Sequence, residues 1–234
     1  MNNYTDNYGY GMSHGAEVSV SSVMKSVYFK MFLGLLVTAF ISMWCASSAA
    51  YIGFIINNQW VMWLLFGVEL LIVFGVSGAT KRISSPVALI LFFVFAAVNG
   101  LALAPIFLVY TGASIAKTFF ITAGTFAAMS VYGYFTSQDL TRIGTFLMMA
   151  LFGLIICVIV NIFLRSDTFD WIISIAGVLI FIGLTAWDTQ QIKTMAQQMP
   201  QSGVSRLSTI GALTLYLDFI NLFIYLLRFF GNRD

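Results

Sequence analysis

The sequence predicts an all-α integral membrane protein with seven transmembrane helices. Of its 234 residues, 60% are hydrophobic and only 9% are charged, where a soluble domain carries about a quarter charged. A soluble core could not bury that much apolar surface, so the surplus must face lipid. Seven apolar runs come close to the ~20 residues that cross a bilayer: 29–52, 60–80, 86–109, 118–135, 143–164, 171–192 and 210–230. The connectors are short and hold most of the charges, among them Lys81-Arg82, Ser137-Gln138-Asp139 and the stretch from Arg165 to Asp170.

Taken in order, residues 1–25 are rich in Asn, Tyr, Gly and Ser and read as a disordered polar tail. A single seven-helix membrane domain, 26–234, follows. No short apolar stretch with a cleavage site precedes the first span, which is expected to act as its own membrane-targeting signal. Lys and Arg in short loops set orientation. With the N-terminus in the cytoplasm, the inner side receives Lys25, Lys30, Lys81, Arg82, Arg142, Lys193 and Arg206; the outer side receives Lys117, Arg165, Arg228 and Arg233. Seven against four favours a cytoplasmic N-terminus and, with seven spans, an external C-terminus. Pro105, close to Gly100, should bend or interrupt the third span. The longest connector is expected over 193–209.

Several chemistries lack their residues. Cys45 and Cys157 lie inside apolar runs without metal-ligand spacing and read as packing residues. The one histidine, His14, lies in the tail. Zinc, metalloprotease and Cys-His hydrolase readings therefore fail. Asp188 and Asp218 are flanked by Asp-Thr-Gln and Tyr-Leu-Asp-Phe, unlike the Gly-Leu-Gly-Asp setting of intramembrane aspartyl proteases. The chain reads as a non-enzyme without a cofactor. A net charge of +2 from scattered basic residues gives no nucleic-acid surface.

The informative residues are charges inside the spans, each costing about 3 kcal/mol on insertion scales and so expected to face a cavity or a partner. They are Glu69 in the second span, Asp188 in the sixth, and Asp218 with Arg228 in the seventh. On the seventh helix Gly211, Thr214, Asp218, Asn221, Tyr225 and Arg228 recur at alternating steps of three and four, so they share one face. A polar stripe on a greasy helix should line a hydrated path or meet polar groups. That puts this helix at the centre, with Thr214, Asn221 and Tyr225 as pore-lining candidates. The sixth helix carries a shorter stripe, Ser174, Gly177, Thr185, Asp188 and Gln191. The two helices run antiparallel, so Asp188 and Asp218 can face one another. Two carboxylates that close cannot both ionise cheaply, and one would hold its proton. The same oxygens suit a hard cation such as calcium, which would compete with protons. Depth along the helices makes two further pairs reachable: Arg82 with Asp188 at the inner side, and Glu69 with Arg228 at the outer. Lys81 and Arg82 also read simply as a topology signal.

At these residues the sequence resembles the Bax inhibitor-one family, also called the transmembrane Bax inhibitor motif family, and looks like a bacterial member. The resemblance rests on Asn99-Gly-Leu-Ala-Leu-Ala-Pro-Ile-Phe107, Phe119-Phe-Ile-Thr-Ala-Gly-Thr-Phe126, Gly183-Leu-Thr-Ala-Trp-Asp-Thr-Gln190 and Ala212-Leu-Thr-Leu-Tyr-Leu-Asp-Phe-Ile-Asn-Leu-Phe223. It implies seven helices with the last one central and wrapped by the other six, in a bacterial inner (plasma) membrane. It implies a pH-sensitive calcium leak, with calcium as the transported ion. The family's pore aspartates fall on Asp188 and Asp218, as pH sensor and ion ligands. Its latch arginine falls on Arg82, with Lys81 adjacent, and its ion pair on Glu69 and Arg228. Trp187 departs from the family's usual Tyr, and the chain lacks a basic C-terminal tail. A second implied reading is a regulatory membrane protein that binds and modulates a membrane-bound ATP-dependent protease, engaged through the N-terminal tail. A proton-coupled transporter is a third reading, for which an inverted repeat is lacking.

Overall fold

The computed structural model describes residues 19–78, 84–200 and 203–232. Among these, nine α-helices and no strand are found: α1 Val20–Ser47, α2 Ala49–Asn57, α3 Trp60–Gly78, α4 Ser85–Leu103, α5 Ile106–Val109, α6 Gly112–Phe135, α7 Thr141–Leu164, α8 Asp167–Gln198 and α9 Val204–Phe230. Six membrane-length apolar segments result, or seven when the bent α2–α3 pair counts as one span. The chain is an all-α integral membrane protein.

Local chemistry sets the helix ends. Thr111 and Ser166 accept the backbone N–H of Ser114 and Phe169, capping α6 and α8. Asp167 and Asp170 sit in the first turn of α8, where the helix dipole favours negative charge. Asp139 accepts the Thr141 N–H at 2.9 Å before α7, and the hydrogen bonds from Thr141 hold its carboxyl below the usual range. Pro105 falls between α4 and α5 and interrupts the third run where it lacks an N–H to donate.

Three boundaries differ from the sequence reading. The first helix begins at Val20, so residues 20–25 belong to the membrane domain. Val20, Val23, Met24 and Val27 recur at helical spacing, and the intervening serines mask that stripe in the composition. The first apolar run is not continuous. It breaks at Ser48, which caps α2 by accepting the Tyr51 N–H, and α3 then turns 96° away from α2. The expected 193–209 connector is mostly helix: α8 runs to Gln198 and α9 starts at Val204. Lys193 donates to the Tyr134 carbonyl at 2.6 Å, and Gln190 bonds the Gln138 carbonyl and the Leu140 N–H, tying this extension to the α6–α7 turn.

The most apolar helix is the least buried. In its most apolar window α7 is 6% buried, whereas α9 is 67% buried. Lipid solvates Leu and Phe as well as a core does, so the greasiest helix stands outside and the helix with a polar face takes the middle. α9 packs chiefly against α8, α1, α6 and α4, while α3 leans on α4 and α7 on α8. The last helix is therefore central, with four helices directly around it and two completing the wrap from outside.

Candidate functional site

The α8–α9 contact is the most extensive in the molecule. Small residues let it close: a side-chain carbon added at Gly177 would lie 2.6 Å from the Tyr225 ring, and one at Gly211 would lie 3.1 Å from Ile192. This brings Asp188 and Asp218 together, their carboxyl groups interacting across the α8–α9 contact. Two carboxyls set this close cannot both ionise cheaply. Asp218 is 4% exposed, and Asp188 on α8 is half-buried. Among the described residues Asp218 Oδ2 is buried with no hydrogen-bond partner. No third His, Cys, Asp or Glu joins the pair there.

The rest of the α9 stripe divides. Asn221 bonds back to the Leu217 carbonyl at 2.8 Å, and Tyr225 stacks on Phe181 with ring centroids 5.9 Å apart. Thr214 is half-buried on the same face. Trp187, next to Asp188, lies against Gly144 of α7, where an added Cβ would collide with its ring. Its Nε1 is a second buried polar atom without a hydrogen-bond partner among the described residues. Arg82 and Lys81, the latch candidates, lie outside the described residues.

The expected Glu69–Arg228 pair does not form. Arg228 Nη1 instead meets Asp170 Oδ1 at 3.4 Å and lies over the Tyr225 ring. Glu69 Oε1 accepts a hydrogen bond from Asn99 Nδ2 at 3.0 Å. The reason is reach: the start of α8 places a carboxylate beside the end of α9, closer than the middle of α3. Arg228 and Asp170 are 36% and 32% exposed, so their pair is worth about 0–1 kcal/mol. Thermal melts of the full chain in detergent should show additive losses for Arg228→Met and Glu69→Leu. A coupling of more than ~1 kcal/mol between these two changes would contradict the geometry.

Sequence reasoning missed the partners on the other side of α9. Tyr216 Oη donates to Asn99 Oδ1 at 3.0 Å and lies 2.6 Å from Thr38 Oγ1, which also donates to the Ala96 carbonyl at 2.8 Å. Tyr216 is fully buried. The available signal was Asn99, a carboxamide deep in an apolar span that follows the span holding Glu69.

A family model described as "Inhibitor of apoptosis-promoting Bax1" matches residues 20–234. The chain belongs to the Bax inhibitor-1 family. Inner membrane protein YbhL of Escherichia coli K12 is 45% identical over 217 residues, covering 92% of this chain and 93% of that protein. An uncharacterised protein of Borreliella burgdorferi is 42% identical over 212 residues, covering 90% and 91%. One from Caulobacter vibrioides is 36% identical over 252 aligned positions spanning both chains in full. The Bax inhibitor-1 match begins at residue 20, where α1 begins.

Proposed function

We propose that this Bax inhibitor-1 family member is a pH-sensitive, calcium-permeable leak in a bacterial inner membrane. The observation that supports this most is the Asp188–Asp218 pair, held between the two most closely packed helices at the centre of the bundle. One oxygen of Asp218 has no hydrogen-bond partner among the described residues. Intramembrane carboxyls facing a protein interior are the usual groups on ion and proton paths. A resident calcium takes about 6–8 oxygens. Two carboxylates bind less tightly, which suits passage, because conduction needs binding weak enough to release. Protons and calcium compete for the same oxygens, and that competition makes the leak pH-sensitive. The inner-membrane placement draws on the similarity to inner membrane protein YbhL of E. coli. Arg82 is retained as the proposed latch on Asp188. The protease-binding reading rests on a tail outside the described residues, and no structural observation favours it.

The test is calcium entry into liposomes that contain only the purified protein and a trapped indicator. Entry well above protein-free vesicles is expected. Entry equal to protein-free vesicles at every pH from about 5 to 8 would overturn the proposal.

A further inference from the structure

The hydrogen-bonded chain on the face of α9 opposite Asp218 has one donor too few. Tyr216 precedes Asp218 by two positions, roughly 200° around the helix, so the chain is separate from the aspartate pair. It comprises four contacts between helices, Glu69 to Asn99, Asn99 to Tyr216, Tyr216 to Thr38, and Thr38 to the Ala96 carbonyl, while Thr38 Oγ1 also lies 3.1 Å from the Gly34 carbonyl of its own helix. An amide turns its nitrogen to one neighbour and its oxygen to the other, and each hydroxyl has one hydrogen. With Glu69 ionised, Asn99 donates to Glu69, Tyr216 to Asn99 and Thr38 to Tyr216, and nothing remains for Ala96. Three hydrogens cannot serve four contacts. With Glu69 protonated, the acid donates to Asn99 oxygen. The amide, turned over, donates to Tyr216, Tyr216 to Thr38, and Thr38 to Ala96. All four contacts are then made.

We infer that Glu69 is a proton-binding site distinct from the aspartate pair, its proton completing a directional chain from α3 through α4 and α9 to α1. Its surroundings agree. Glu69 is the only charged residue of α3, and α4 carries none. The groups acting on it among the described residues are Asn99 of α4 and the Tyr216 hydroxyl of α9. A carboxylate set among such neighbours has no described cation to offset its charge. Loss of the proton reverses the chain and releases Thr38 from Ala96, loosening α1 from α4 beside the central helix. The inference does not depend on calcium conduction.

The sequence allows a direct test, because its only glutamates are Glu17 and Glu69. Full-length Glu17→Gln protein, made with side-chain ¹³C-glutamate and placed in lipid nanodiscs, gives one carboxyl signal by solid-state NMR. At pH 7 it should report a protonated acid, where an exposed glutamate with a pKa of about 4.3 is ionised. An ionised signal at pH 7 would overturn the inference. The chain itself is tested by substitution. Gln supplies an N–H where the acid supplied its O–H, so Glu69→Gln should melt with the wild type at pH 7. Glu69→Met, which cannot donate, should melt lower by about 3 °C or more. As pH rises through the value at which the NMR signal moves, the wild type should lose stability relative to Glu69→Gln. Equal melting of the Gln and Met variants would remove the chain.

Discussion

Gly133→Ala is expected to destabilise the protein more than any other glycine-to-alanine change in the described helices. A methyl at 133 would overlap the Ala186 carbonyl oxygen and lie 2.8 Å from its carbon, both of them backbone atoms of α8. A side chain in that place could rotate away, but a helix backbone cannot. α6 and α8 would have to separate. Overpacking costs about 1–3 kcal/mol and sometimes more, and an obstructing backbone places this change at or above the top of that range. Ala would add helix propensity of up to about 1 kcal/mol, too little to offset the clash. Gly124 of α6 and Gly153 of α7 have nothing within 4 Å of an added methyl, so alanine there should be neutral or slightly stabilising. Thermal unfolding of the three variants in one detergent separates the cases. A Gly133→Ala protein as stable as Gly124→Ala would mean that α6 and α8 do not cross this closely. The effect should extend to the site, because Asp188 follows Ala186 by two positions and moves with it.

Much of this architecture could be read in advance because hydropathy in a membrane protein answers a coarse question, namely which segments lipid will accept. That located the spans. The polar stripe of α9 marked the central helix, since a helix with Asp218 and Asn221 on one face is costly anywhere else. The same stripe, set against that of α8, brought Asp188 to Asp218. Pairing at longer range was less legible. Depth and the family resemblance both point to a Glu69–Arg228 pair, yet depth does not give the angular position of a helix in the bundle. α3 leans on α4, so Glu69 meets Asn99, while the first turn of α8 offers Asp170 to Arg228. The helix ends at Val20 and Gln198 were missed for another reason. Ser-rich and Gln-rich turns outside the hydrocarbon carry no hydropathy signal, though they remain good helices when Val23 or Lys193 finds a partner. Gly133 looked like one of many small residues, and only the crossing of α6 over α8 distinguishes it.

The two aspartates are expected to respond unequally to amidation. Asp218→Asn should lower calcium entry into proteoliposomes at least tenfold at pH 7, because among the described residues Oδ2 of Asp218 is the buried side-chain oxygen with no hydrogen-bond partner, and so is open to a passing cation. An amide there keeps the shape and removes the charge. Asp188→Asn should leave entry substantial and flatten its dependence on pH. In the wild type the contact between the two carboxyls needs a shared proton. Two full charges about 4 Å apart repel by roughly 4 kcal/mol at an effective dielectric of 20, so the proton leaves only against that repulsion. Asn at 188 donates an N–H to Asp218 and makes the contact without any proton. The remaining carboxylate then stays ionised, and open to calcium, into more acid solution. The sign follows directly. As pH falls, wild-type entry should drop when the ionised pair takes up the shared proton that its repulsion favours, and Asp188→Asn entry, with no second carboxylate beside Asp218, should drop later, at lower pH. Indicator-loaded vesicles sampled from about pH 5 to 8 measure both curves. Equal curves for the wild type and both single variants would leave the pair as a structural contact between α8 and α9. An Asp188→Asn curve that falls at higher pH than the wild type would contradict proton sharing itself.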